Sequence, residues 1–231
     1  MSLATTLTRR QVDRERKRLD QRMLAYLEAG EIREAVRMEP EYRELARSAG
    51  APELLGYFLL DLGDWNYDKE KYQDALKYYL AGLSELGGDP PEQGVASLQI
   101  AYCYSFQRRA EEALRWLDRC LENRDFYQNG RAAAFAERGR LEVERYQRYP
   151  ESIYHYLCAV DLYDSKKPFY SPEGHQGALF GLALTLDEAR LITHARSYYQ
   201  KVVRMGHPEY GYLKEAENSL QKLEKFSDPL P

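Results

Sequence analysis

The residues of this chain that could hold a metal or supply a nucleophile are four histidines and three cysteines. His155, His175, His194 and His207 are spread over the last third of the sequence. No two of them stand at the spacing that would converge two imidazoles on one ion from a single helix. Cys103, Cys120 and Cys158 show neither metal-ligand spacing nor an even disulfide framework. Cys103 and Cys120 fall on neighbouring helical stretches and could approach each other, but they read first as small buried fillers. No serine or cysteine sits in a nucleophile motif, and no strand precedes any of the dispersed glycines, so there is no phosphate-cradling loop. Glu111, Glu112, Glu142 and Glu144 read as solvated faces. No catalytic residue, cofactor or metal is expected, and the chain is not expected to be an enzyme.

One charge pattern remains. Arg10, Arg14, Arg18 and Arg22 recur every four residues and line one helix face. Such a stripe could meet phosphates or an acidic partner. Asp13, Glu15 and Asp20 lie beside it, and they can pair with Arg16, Lys17 and others at helical spacing. The plainer reading is a solvated face. Overall the 231 residues carry 33 basic and 37 acidic side chains, a net charge of −4. That balance sets up no global basic field, so nucleic acid is not expected as a partner. No run of 18 apolar residues suggests a membrane span, and the start lacks the apolar stretch of a secretory signal. A reducing, cytoplasmic setting is the expectation.

The elements that must position any functional surface are legible in the stretch from Leu62 to Leu83. Leu59, Leu62, Gly63 and Asn66 follow the 3.6-residue period of one helix face, and Tyr72, Ala75, Leu76, Tyr79, Leu80 and Leu83 follow another. The four residues Asp68 to Lys71 between them allow only a tight turn, so two amphipathic helices must pack antiparallel. Gly63 and Ala75 would let the backbones approach. The pattern returns as Ile100-Ala101-Tyr104 with Ala113, Leu114, Leu117 and Leu121, and as Leu182-Ala183-Leu186 with Ala195, Tyr199 and Val203. From the apolar residue of the first helix to the small residue of the second the step is 13 residues in each case. Gly139 with Ser152, Ile153, Tyr156 and Val160 forms a weaker copy, with one extra residue near the turn and Arg138 in place of the aliphatic. Ala75, Ala113, Ser152 and Ala195 lie 38, 39 and 43 residues apart. The segments 87–91 and 164–168 are the expected loops for the extra length.

This pairing of Leu-Gly with a later Ala and aromatic resembles the tetratricopeptide repeat. The resemblance covers residues 56 to 207 well and the ends less well. It implies an all-α, right-handed solenoid of antiparallel helix pairs with about eleven helices. One domain spans 1–231 on this reading, since each pair buries its apolar face only against its neighbours. Residues 1–7 are expected to fray. Residues 8–50 form a degenerate repeat, with a helix from about Thr8 to Glu28 and a second that Pro40 must break or kink. Four repeats occupy 51–207. Ser171-Pro172-Glu173 is a helix start. A capping helix over 208–226 carries Tyr212, Ala216, Leu220 and Leu223 on one stripe, and 227–231 is a tail.

The resemblance also implies function. In such arrays the first helices line a concave face where bound peptides lie, so the chain is expected to be a protein-interaction scaffold or adaptor. Carried over by position, that face takes Tyr57, Leu60, Asp64 and Tyr67 from the first clear repeat. The second gives Leu98 and Tyr102, with Val95, Ser105 and Phe106 beside them. Ala136 and Arg140 follow from the third, and Phe180, Leu184 and Asp187 from the fourth. Their apolar residues would equally serve as core between repeats, and both roles stay open. Tyr57, Tyr67 and Tyr102 are the better anchors, because tyrosine joins a broad ring to a hydroxyl that tolerates water. Family members that clamp a terminal carboxylate need several Lys, Arg and Asn residues, whereas only Arg138 and Arg140 stand here. The alternatives are a structural subunit of a larger assembly, held through self-association, and a regulatory arm that uses the arginine stripe. The partner's identity is not legible.

Overall fold

A computed structural model describes residues 7–87, 89–165 and 171–225. Residues 1–6, the tail 227–231, the last residue of the capping segment and much of the expected 164–168 loop lie outside that description. The chain is all-α and divides into two compact units, Met1–Phe126 and Tyr127–Pro231.

The first unit holds α1 (Arg9–Glu28), α2 (Ile32–Val36), α3 (Glu39–Ala49), α4 (Glu53–Asp68), α5 (Tyr72–Glu85), α6 (Pro90–Phe106) and α7 (Ala110–Glu122). A capping box opens α1: the Thr8 hydroxyl accepts from Gln11 N–H, and the Gln11 side chain accepts from Thr8 N–H. Asp89 caps α6 ahead of Pro90 and Pro91, so those prolines begin the helix rather than extend the loop. The second unit holds α8 (Gln128–Tyr146), α9 (Tyr149–Asp164), α10 (Pro172–Glu188), α11 (Ile192–Met205), a 3-10 turn at Pro208–Tyr210 and α12 (Tyr212–Lys225). Ser171 caps α10 with Pro172 behind it. Twelve α-helices among the described residues are one more than the pattern counts. The surplus comes from the break ahead of Pro40, which makes α2 and α3 two helices.

The same turn joins each pair. After α4, Glu70 takes a left-handed conformation (φ 58°) and Lys71 N–H donates to Asn66 C=O at 2.9 Å. Arg108 and Arg190 repeat the left-handed step, with Arg109 N–H reaching Tyr104 C=O and Leu191 N–H reaching Leu186 C=O. This five-residue reach back is the Schellman closure of a helix end. After α8 the bond runs from Arg148 N–H to Glu142 C=O, six residues back, with Gln147 left-handed. That is where the weaker copy carries its extra residue. Between α1 and α2 the turn appears again, with Gly30 left-handed and Glu31 N–H on Tyr26 C=O. One turn later Ala35, Ala75, Ala113, Ser152 and Ala195 are all fully buried at the start of their helices.

Close approach within a pair depends on glycine facing an aromatic ring. A Cβ on Gly63 would lie 2.5 Å from Tyr79 Cε1, so the ring on α5 packs directly against the backbone of α4. In the second unit Tyr156 of α9 fills the equivalent space at Gly139 and also closes on Gly181 of α10. Ala216 and Leu223 of α12 join the buried core of α10 and α11, with Tyr212 and Leu220 packed beside them. The one apolar stripe of this helix covers the last pair. Among the described residues no helix is long and apolar enough to cross a membrane.

Candidate functional site

The open surface with the most organised chemistry is a cleft between α4 and α6 in the first unit. Its cavity of about 110 Å³ is lined by Tyr57, Leu60, Asp61 and Asp64 of α4, Tyr79 of α5, and Glu92, Val95 and Gln99 of α6. Helical spacing explains the α4 side: residues 57, 60, 61 and 64 share one face, with the apolar members toward the helix pair and the carboxylates toward the opening.

Three of these side chains are held in place. Tyr57 hydroxyl donates to the Asp89 carboxylate, and the Arg16 guanidinium lies over its ring, 5.1 Å from the centroid. Leu60 is 7% exposed, and a Cβ on Gly82 would come 2.9 Å from its Cδ2. Tyr79 is fully buried and donates from its hydroxyl to Asp64 Oδ1 at 2.7 Å.

Asp61 differs. It is exposed, and its carboxylate has no hydrogen bond and no ion-pair partner among the described residues. Desolvation by the cleft walls, helped by the neighbouring charges of Asp64, Asp20 and Glu92 and opposed by Arg16, pushes its pKa up to about 7. Burial also raises Asp64, with the Tyr79 hydroxyl pulling the other way. Arg16, the cation that opposes this shift, is shared with Asp20 at 3.4 Å. The cleft is therefore a partly desolvated pocket with excess negative charge.

One turn further along α4, Tyr67 reaches an exposed aromatic group at the turn edge. Tyr72 stacks on Phe106 at 4.7 Å with the rings 7° apart, and Tyr67 meets Phe106 edge-on at 5.8 Å. Phe106 is 53% exposed. Tyr102 lies half-buried one turn before it on α6, and Leu98 is buried.

The structure thus brings Tyr57, Leu60 and Asp64 together in the cleft, and Tyr67 with Phe106 on the aromatic platform. Tyr57 does not join that platform: ten residues of helix, or about 15 Å, separate it from Tyr67. In the second unit, Arg140 lies between Glu137 (2.6 Å) and Glu144, so its charge is matched within α8. Phe180 is half-buried against Tyr199 and Tyr212, with centroids 5.9 and 5.6 Å away, whereas Leu184 is exposed. Asp61 and Glu92 were not singled out in the sequence, and Asp20 was read only as a neighbour of the arginine stripe. Asp61 follows Tyr57 by four residues, so the same stripe contained it.

The other candidate chemistry is modest. Burial pushes the Cys103 thiol up to about 12, and Cys103 and Cys120 are buried free thiols. No group of three metal-ligating side chains occurs among the described residues. Within the arginine stripe, Arg22 makes a bidentate pair with Glu41 of α3 at 2.7 and 3.0 Å. Arg18 pairs with Glu15 and Glu41. Half of the stripe's charge is thereby matched inside the unit.

No family model and no curated protein matches the chain. Solved structures do. BtubC (BKLC) from P. vanneervenii aligns over 87% of this chain and 88% of its own, with TM-score 0.66 and 15% identity. A tetratricopeptide repeat protein from Parabacteroides merdae aligns over 92% and 74%, with TM-score 0.62 and 18% identity. YrrB, described as a TPR protein with an unusual peptide-binding site, aligns over 85% and 88%, with TM-score 0.56 and 15% identity. At such identities the likeness is one of fold, and the chain has the fold of the tetratricopeptide repeat proteins.

Proposed function

We propose that the chain is a protein-interaction module and that its α4–α6 cleft receives a partner segment bearing a lysine or arginine. Asp61 carries this reading: it is an unpaired carboxylate, partly desolvated, in a cleft where Tyr57, Tyr79 and Asp64 already have partners. A cation seated on it would gain a partner in surroundings where attraction is weakened less than in bulk water. The side chains around it are pinned by Gly82, Asp89 and Asp64, so a ligand would meet a preformed receptor and pay little to order it. Tyr67, Tyr72 and Phe106 extend the surface with ring faces on which apolar or cationic side chains could rest. The fold supports the reading, and YrrB, with the same fold, has a peptide-binding site. No bond is made or broken in this mechanism.

Panning a random twelve-residue peptide display library against the intact chain tests it. Enriched peptides are expected to carry Lys or Arg. They should lose at least about tenfold in affinity, or 1.4 kcal/mol, on the Asp61→Asn, Asp64→Asn double variant. Asparagine keeps an acceptor for the Tyr79 hydroxyl, so circular dichroism should be unchanged. Enriched peptides without cations, or binding indifferent to the double variant, would overturn the proposal.

A further inference from the structure

A second opening lies on the opposite face of α4. There α2 and α3 stand apart from α5 and leave a trough of about 850 Å³. Its floor is Leu59 and Asn66, and its walls include Ile32, Val36, Tyr78 and Ala81. The depth has a cause within the chain. Asn66 stands four residues after Leu62, where the other clear repeats place Tyr104 and Leu186, so a short side chain replaces a large one. The second helix of the preceding pair is also cut to five residues ahead of Pro40, which takes away the cover a full helix would provide.

The floor offers one hydrogen-bond acceptor. Asn66 is 4% exposed. Its Nδ2 donates to Leu62 C=O at 2.7 Å, and its Oδ1 has no partner among the described residues. That oxygen is left open to the trough and can accept a donor from whatever lies there. The rim is cationic on balance, with five Lys and Arg side chains against three carboxylates. Arg43 and Lys77 pair with Glu39 and Asp74, both at 2.7–2.8 Å, and Arg37 pairs with Glu34. Among the described residues Arg33 and Lys71 have no carboxylate partner, although the Lys71 ammonium lies 5.1 Å from the centroid of the Trp65 ring. Both lie within three residues of a left-handed turn residue, Gly30 and Glu70, at the same end as Asn66. Glu85 lines the other end.

We infer that this trough is a second docking site, for a short extended segment of a partner protein that combines aliphatic side chains with Asp or Glu. The aliphatic side chains cover Leu59, Val36 and Ala81. A backbone N–H of the segment donates to Asn66 Oδ1, and its carboxylate meets Arg33 and Lys71. The trough and the α4–α6 cleft thus select opposite charges from opposite faces of one helix.

Panning the same display library against the Asp61→Asn, Asp64→Asn chain isolates the trough, because the cleft there has lost its charge. Enriched peptides should contain Leu, Ile or Val next to Asp or Glu. They should bind at least tenfold more weakly to the Arg33→Glu, Lys71→Glu variant. Ala81→Glu, an exposed change on α5, places a repelling charge in the wall and should weaken them similarly, so it decides the matter if the double variant fails to fold. Peptides without acidic residues, or affinities unmoved by Ala81→Glu, overturn the inference. Failure of the cationic peptides on the parent chain would remove the cleft reading alone.

Discussion

Replacing Tyr79 with alanine should lower the stability of the first unit by about 3–5 kcal/mol, whereas Tyr79→Phe should cost only about 0.5–1.5 kcal/mol. The ring is fully buried, and it lies so close to α4 that a Cβ on Gly63 would be 2.5 Å away. Alanine would leave a cavity between α4 and α5 that two rigid helices can only partly close. Phenylalanine keeps the packing and loses the hydrogen bond to Asp64, whose carboxylate can turn to water. Both tryptophans, Trp65 and Trp116, belong to the first unit, so their fluorescence during denaturant unfolding follows this unit even if the two units unfold separately. Equal midpoints for the alanine and phenylalanine variants would mean that the ring does not hold the pair together.

The affinity of a cationic peptide for the cleft should rise about tenfold between pH 6 and pH 8. With a pKa of about 7, Asp61 is ionised in about one molecule in ten at the lower pH and nine in ten at the higher. Lysine and arginine on the peptide stay charged throughout. The groups facing Asp61 are Asp64, Asp20, Glu92 and Arg16, and all four histidines lie in the second unit, so none of them titrates in the cleft. For stability the sign reverses. A carboxyl whose folded pKa is raised holds a proton that the unfolded chain has already released, so its contribution to stability falls as pH rises from about 4 to about 7. The free protein should therefore lose stability across that window, most steeply near its middle, while the cleft gains affinity for the cation. Asp61→Asn should flatten both dependences. Calorimetric titration at three pH values reads the first and thermal melts read the second. A flat binding profile in the parent would place the cation elsewhere.

The repeat was legible because its turn constrains the chain. A left-handed residue and a Schellman closure fix the distance from Leu62 to Ala75, and the same closure sets the distance from Ile100 to Ala113 and from Leu182 to Ala195. The longer reach from Arg148 to Glu142 shows as the one surplus residue before Ser152. Pro40 announced the break between α2 and α3, and the stripe through Tyr212, Ala216, Leu220 and Leu223 announced the helix that covers the last pair. The site was less legible, because it depends on residues far apart in sequence. Tyr57 is tied to Asp89 and Arg16, and Leu60 is held against Gly82; none of these partners follows from the period of α4. The unusual acidity of Asp61 depends on walls from α4 and α6 and on charges from α1. The aromatic platform needed Tyr72, a residue of the second helix that a stripe along first helices does not include. The trough depends on what is missing beside Asn66, a bulk visible only when its position is compared with Tyr104 and Leu186.

The central claim, a cation-binding cleft between α4 and α6, is tested most directly by mapping a selected cationic peptide on the isotopically labelled chain by nuclear magnetic resonance. At saturation, the largest amide shift changes should fall on Tyr57, Asp61, Asp64, Val95 and Gln99. Smaller changes should extend through Tyr67 and Phe106, while Val36, Ala81 and Glu85 stay still. Changes centred on α3 and α5, or scattered through the second unit with Asp61 unmoved, would contradict the account.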